Sequence, residues 1–283
     1  MPSTESFTSR SPMGYLDSQA PEGGRAQSHL RPKTIFKQSL MLAHASIKAR
    51  YRNSFSGYLW VVLSPLIMFV TQAYVFKVIF KVETENYILF LLFGLSPWLF
   101  FSQTVEMSTG LLYHQARILK SLRVSPLTLL LAQALDNFVN SMVVMTLALI
   151  AVASLGLVPW SALIFFPLPY FTLLLAVLFL SFLLSVCQVF FFDTRFVVGF
   201  ALNILYFVSP IVYPENFVPA KYRFILAFNP LTYLLRPFRT LLAQGFSREF
   251  LQDEALALAF AFILMMLTLV VWRKSRDAFY FRL

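Results

Sequence analysis

Side chains able to do chemistry are sparse in this sequence, and their placement says more than their number. Lys48, Arg50 and Arg52 form a cationic cluster just ahead of a long apolar run. Arg117, Lys120 and Arg123 form a second cluster in Gly110 to Pro126, a segment without an acid. Asp136 stands with Asn137 and Asn140 inside another apolar stretch. An ionisable group in a membrane helix costs about 2.5–3.5 kcal/mol on insertion scales, so Asp136 is expected to face a bundle interior or a wet cavity. Its amide neighbours can share its hydrogen bonds, which favours structural glue over a transport role.

The usual catalytic devices are missing from the sequence. There is no phosphate-binding G-x-x-x-x-G-K-[ST] loop, no G-x-S-x-G elbow, no H-E-x-x-H pair and no couple of intramembrane carboxylates set for acid–base work. Cys187 is the single cysteine, and His29, His44 and His114 are scattered, so neither an intramolecular disulfide nor a metal cluster is expected. A proton relay through a membrane normally shows several Asp, Glu or His residues within the spans, whereas Asp136 is nearly alone. If the protein transports, the energy must come from outside this chain.

Such residues need elements to position them. The 283 residues are 58% hydrophobic and only 13% charged, against about a quarter charged in soluble globules. The chain reads as an integral membrane protein. Its net charge of +10 comes mostly from residues flanking apolar runs, which suits topology and lipid headgroups better than nucleic acid.

Residues 1–32 are rich in Ser, Pro, Gly and Gln and read as a disordered tail. They contain no apolar core of a signal peptide. Lys33 to Phe55 reads as a basic amphipathic helix in the headgroup plane, with Phe36, Leu40, Ala43, Ile47 and Tyr51 on one stripe. A hinge at Ser54-Phe55-Ser56-Gly57 then leads into Leu59 to Phe76, 18 residues without a charge. A hydrocarbon core roughly 30 Å thick needs about 20 helical residues. Spans are expected at about 58–78, 87–107, 127–155, 161–192, 196–214 and 255–272. The fold class is therefore all-α with six transmembrane helices. Inside loops rich in Lys and Arg place both ends in the cytoplasm.

Within this plan Pro97 is expected to kink its helix, and Pro167 with Pro169 to separate an approach segment from the span that follows. Trp98, Phe100 and Phe101 either face lipid, pack, or line a path, with periodicity favouring the first two. The segment Pro214 to Glu254 is the oddest: Phe224 to Phe228 and Leu231 to Leu242 are apolar but too short to span. Broken by Asn229-Pro230 and Arg236-Pro237, they read as helices that dip into the outer leaflet and return.

Several motifs in one order carry a resemblance. R-Y-R-N-S-x-x-G-Y-L-W-x-x-L-x-P-L (Arg50 to Leu66) resembles the opening of the ABC-2 type permeases that export polysaccharides, the O-antigen, teichoic-acid and capsule exporters. The likeness continues in F-G-L-S-P-W-L-F-F-S (Phe93 to Ser102), the basic loop before Pro126, S-P-I-V-Y-P (Ser209 to Pro214) and N-P-L-T-Y (Asn229 to Tyr233). It covers almost everything from residue 36 onward. One departure is the turn Phe190 to Arg195, where only Asp193 and Arg195 match a pattern that is often more basic.

The resemblance implies a homodimer paired with two copies of a separate ABC ATPase subunit, which would bind ATP and Mg, leaving this chain without a cofactor. Together they would export a lipid-linked polysaccharide across the bacterial inner membrane. By the same likeness, helix 33–55 looks like an interface helix, and Arg117, Lys120 and Arg123 look like the element pressed into the ATPase. Asn229, Pro230 and Tyr233 fall in what look like periplasmic gate helices. Trp60, Tyr74, Trp98, Phe100 and Phe101 become candidates for aromatic rings along a channel. Arg50 and Arg52 become candidates to meet the pyrophosphate of an undecaprenyl carrier, since guanidinium pairs bidentately with phosphate oxygens. The rival within the same fold is a permease for drugs or small lipids, which the R-Y-R…G-Y-L-W motif argues against. An ion-driven carrier or a glycan-transferring enzyme is disfavoured by the lack of intramembrane acids.

Overall fold

The computed structural model describes residues 32–51, 55–81, 86–121, 124–154, 156 and 158–283, and every regular element among them is helical. In chain order these are α1 (Pro32–Tyr51), α2 (Phe55–Tyr74, continued by a π-helical turn Val75–Ile79), α3 (Tyr87–Thr109), the short α4 (Leu111–His114) and α5 (Ala116–Ser121), and α6 (Pro126–Ser154). There follow α7 (Trp160–Phe165), α8 (Pro167–Phe190), α9 (Thr194–Val208), α10 (Arg223–Phe228), α11 (Pro230–Gln244) and α12 (Arg248–Arg282).

Among the described residues, four stretches are long and apolar enough to cross a membrane: Tyr87–His114, Pro126–Ile150, Trp160–Phe190 and Arg248–Arg282. Leu63–Ile79 and Thr194–Val208 are apolar but shorter. The boundaries differ from the sequence expectation where the chain turns. Phe55, Ser56 and Gly57 are already helical, so the expected hinge does not fall on them, and Ser54 lies outside the described residues. Helix α9 stops at Val208, and Ser209 to Val212 runs on as a buried irregular segment rather than as more span. Helix α12 begins at Arg248, so Glu254 belongs to it and not to a loop.

Helix α8 is the hub. It touches α3, α4, α6, α9, α11 and α12, because its apolar surface continues all the way round, as suits a helix buried among others. Phe166 before it has right-handed helical angles (φ −56°, ψ −33°). The two prolines therefore do not break the run; Pro167 sits in the first turn, where a missing N–H costs nothing.

Among the described residues two packed clusters result. The larger joins Tyr87, Phe93, Trp98 and Phe100 of α3 to Tyr170 and Leu173 of α8, Phe238 of α11 and Phe250 of α12. The smaller, at the basic end of the bundle, joins Leu112 and Leu119 to Leu130, Phe182, Val186 and Phe279.

Helix α1 presents its small residues inward. Ser39 and Ala43 are buried while Phe36 and Leu40 are exposed. The Ser39 hydroxyl donates between Ile35 O at 2.9 Å and Thr128 O at 3.0 Å. Small side chains let helix backbones approach closely; of the predicted stripe, Ala43 is turned inward and Ile47 is half-buried, whereas Phe36 and Leu40 face outward.

Candidate functional site

Between α2, α3 and α6 lies a cleft of about 360 Å³. Trp60, Ser64 and Pro65 line it from α2, Ser96, Phe100 and Gln103 from α3, and Asn137, Asn140 and Ser141 from α6. Among the described residues that line it there is no Lys, Arg, Asp or Glu. Its floor is tied down by one phenol. The Tyr170 hydroxyl lies 3.2 Å from Ser96 Oγ and 3.1 Å from Ser141 Oγ. The Tyr170 ring packs against Phe100, Phe138, Phe166 and Phe238. Farther along, Asn137 Nδ2 donates to Thr104 Oγ1 at 3.2 Å, and Gln133 Nε2 donates to Asn137 Oδ1 at 3.4 Å. Asp136, one residue before Asn137, is buried with 2% of its surface exposed.

The five aromatic residues singled out in the sequence do not form one group. Trp60 and Tyr74 stand exposed on α2. Trp98 and Phe101 are buried and stacked on each other with centroids 5.8 Å apart, Trp98 also meeting Tyr206. Phe100 is buried against Phe138 and Tyr170 yet reaches the cleft wall. Apolar residues facing lipid and those facing a neighbouring helix look alike in sequence, which is why the spacing alone did not separate them.

At the opposite end from Arg117 and Lys120, the irregular segment after α9 is pinned from three sides. Tyr87 donates its hydroxyl to Val212 O at 2.8 Å, Asn229 Nδ2 donates to Ser209 Oγ at 2.8 Å, and Arg239 Nη2 donates to Ile211 O at 3.1 Å. Asn229 also caps α11, its Oδ1 accepting from Leu231 N at 3.0 Å, with Pro230 in the first turn. This is the start signal that Asn-Pro provides: a side-chain acceptor for a free N–H, then a residue with no N–H to satisfy. Tyr233 donates to Ala227 O at 2.8 Å, closing α10 onto α11.

Arg236 makes a bidentate pair with Glu215, at 2.8 and 2.7 Å, and that pairing raises its already high pKa. Arg239 is the unusual cation. Its guanidinium carbon lies 4.0 Å from the Phe90 ring centroid, and its Nε has no hydrogen-bond partner among the described residues. Burial pushes its pKa down to about 10, partly offset by Glu215, so it remains charged at neutral pH. Gly94 makes room for it: a Cβ there would sit 2.7 Å from Arg239 Nη2 and 2.6 Å from Ile211 O.

At the basic end, Arg117 and Lys120 project from α5 into solvent while Leu119 between them is fully buried. Arg123 lies outside the described residues. Arg50 falls in the last turn of α1 with its side chain outside the described residues, and Arg52 lies outside them altogether.

Sequence reading missed Tyr170, Arg239 and Glu254. Glu254 is buried and accepts a hydrogen bond from Thr172 Oγ1. Tyr170 sits in the apolar run P-L-P-Y-F-T, where nothing marks its hydroxyl as a junction. For Arg239 a signal did exist, a second arginine one helical turn from Arg236 on an otherwise apolar helix.

Residues 37–243 match the ABC-2 type transporter family. The chain is 26% identical over 251 residues to the O-antigen export system permease protein RfbA of Klebsiella pneumoniae, covering 87% of this chain and 94% of that protein. A protein of the same name from Myxococcus xanthus is 26% identical over 204 residues, 71% of this chain and 78% of its own. The polysialic acid transport protein KpsM of Escherichia coli is 26% identical over 264 residues, 89% of this chain and 98% of its own. With almost three quarters of its length inside that family match and its motifs in order, the chain belongs to the ABC-2 type transporter family.

Proposed function

We propose that this chain is the permease subunit of an ATP-driven exporter of a lipid-linked polysaccharide, such as an O-antigen carried on undecaprenyl pyrophosphate. One observation carries the reading: similarity extends over 94% of an O-antigen export permease and 98% of a polysialic acid transport protein. Two copies would form the conduit, and two copies of an ABC ATPase, binding ATP and Mg, would drive it. In this reading α2 with its π-helical turn and α9 join the four longer helices as spans, giving six, with both ends on the cytoplasmic side of the inner membrane. Helices α10 and α11, with Asn229, Pro230 and Tyr233, act as the periplasmic gate.

The exposed pair Arg117 and Lys120 supports a coupling role for the loop that carries them, together with Arg123. Reversing all three charges should reduce co-purified ATPase subunit and surface glycan at least severalfold, while the chain remains in the membrane. Unchanged ATPase recovery together with unchanged glycan would remove the coupling assignment.

Arg50 and Arg52 are proposed to meet the carrier's pyrophosphate, because a guanidinium fork matches phosphate geometry. The double variant Arg50→Ala, Arg52→Ala is expected to lower export severalfold with complex assembly intact. Quantifying surface glycan against the amount of purified complex checks this, and normal export would end the idea. The permease reading as a whole is tested by deleting the chain: loss of surface glycan is expected, and its full retention would overturn the proposal.

A further inference from the structure

The basic end of the bundle continues well past the bilayer and finishes in aromatic rings left largely bare. The uncharged run of α12 stops at Trp272, with Arg273 and Lys274 next, which sets the membrane edge there. Trp272 packs on Phe182 of α8 with ring centroids 5.1 Å apart, so Phe182 lies at the same level. Below that level the two helices run on together. Arg282 covers the Phe190 ring at 5.2 Å, and its Nη1 reaches Phe190 O at 3.5 Å. Phe190 is eight residues past Phe182 and Phe281 nine past Trp272, about 12 and 13 Å at 1.5 Å per residue. A headgroup layer is only about 5–8 Å deep on each side, and a tilt of about 20° shortens these distances by about 1 Å at most. Lipid does not reach so far. Yet Phe191, Phe192 and Phe281 are 70%, 62% and 91% exposed, and beyond the headgroups only protein covers an apolar ring.

The turn that carries two of these rings is fixed from within. Gln188 Nε2 donates to Phe192 O at 2.9 Å while its Oε1 accepts from Arg195 N at 2.7 Å, and Thr194 Oγ1 donates to Phe191 O at 2.7 Å. The Phe192 ring also meets Tyr113 of α4 edge-on at 5.2 Å. Apolar groups already held in place lose little freedom on binding, which suits a docking contact. Arg195, Arg276 and Arg282 are exposed around them, against the acids Asp193 and Asp277, of which Asp277 already lies 3.5 Å from Arg276. The complement is an apolar pocket edged with carboxylates.

We infer that Phe191 and Phe192 of the α8–α9 turn, with Phe281 in the last turn of α12, form a second docking surface for the ATPase subunit. This rests on the permease reading and adds to the loop of Arg117 and Lys120. Phe279, two residues before Phe281, is packed in one cluster with Leu119 between those cations. The ATPase subunit is thus braced at two points of one body.

The test uses the full chain in complex with its co-expressed ATPase subunit, in lipid nanodiscs. Benzoylphenylalanine in place of Phe191 or of Phe281 should crosslink on irradiation to the ATPase subunit, and sequencing of the adduct should find Asp or Glu beside the attachment point. Adducts confined to phospholipid, or to a second copy of this chain, would overturn the proposal. The double variant Phe191→Ser, Phe281→Ser should lower co-purified ATPase subunit at least fivefold, and Arg195→Glu at least threefold. Hydrogen exchange across residues 111–121, compared between wild type and the double variant purified without the ATPase subunit, should be unchanged, since both rings are exposed. Faster exchange there would show that the loss comes from a damaged α4–α5 segment, and undiminished recovery that the rings bear no contact; either result refutes the surface. Lipid-only adducts with normal ATPase recovery remove this surface and leave the permease reading standing. A wild-type chain that brings down no ATPase subunit removes both.

Discussion

Gly94→Val is expected to prevent the far end of the bundle from closing, and Gly94→Ala to weaken it measurably. The reason is geometric. A single added carbon would approach Ile211 O to 2.6 Å and Arg239 Nη2 to 2.7 Å. Neither neighbour can yield cheaply. Ile211 belongs to a segment held on both sides, by Tyr87 on Val212 O and by Asn229 on Ser209. Arg239 is confined between the Ile211 carbonyl and the Phe90 ring. Overpacking of this kind costs about 1–3 kcal/mol for small additions and occasionally more. Displacing Arg239 adds the cost of a buried charge that loses its acceptor. Thermal unfolding of the purified complex should show a clear fall in Tm for Gly94→Ala, and Gly94→Val should fail to accumulate. A wild-type Tm in Gly94→Ala would show that the loop and α11 are not packed on α3 as described.

Phe279→Ala is the second large effect. Phe279 is fully buried in the same cluster as Leu112 of α4 and Leu119 of α5. It also meets Trp272 at 5.3 Å and Tyr280 at 5.4 Å between ring centroids. Removing a buried Phe side chain costs about 3–5 kcal/mol in soluble cores. Here the loss falls on two short helices that cannot hold themselves, since isolated helices below about 12 residues are marginal in water. The expected result is a bundle that still inserts but a loosened α4–α5 segment: faster hydrogen exchange across residues 111–121 and reduced recovery of the ATPase subunit. Wild-type exchange in that segment would refute the anchoring role. Phe279→Leu, which restores most of the apolar volume, should recover much of both readouts.

Sequence carried the elements well where the signal was local. Long apolar runs marked α3, α6, α8 and α12, and the break read at Asn229-Pro230 falls at the start of α11; the one read at Arg236-Pro237 does not, because α11 runs on through Pro237 to Gln244. Sequence failed where the deciding partner is remote. Tyr170 is joined to Ser96 across 74 positions, and Glu254 to Thr172 across 82; no window of sequence contains either pair. Burial of Trp98 and Phe101 was equally hidden, because a membrane rewards an apolar surface on every side of a helix. The cleft was partly legible, in Asn137 and Asn140, but only folding brings Gln103 and Trp60 beside them.

Helix α12 has one property whose effect reaches across the whole protein. It runs unbroken for 35 residues, about 50 Å at 1.5 Å per residue. Near one tip it carries Phe250 in the larger cluster, and near the other Phe279 in the smaller. Midway, Thr268 donates to Phe179 O of α8 at 2.9 Å. Packed along α8 and against α11 as well, such a rod ties the two clusters together, so a disturbance at one is carried to the other. A displacement of the Leu112 and Leu119 end would thus reach Phe250 and the α11 end through this one helix.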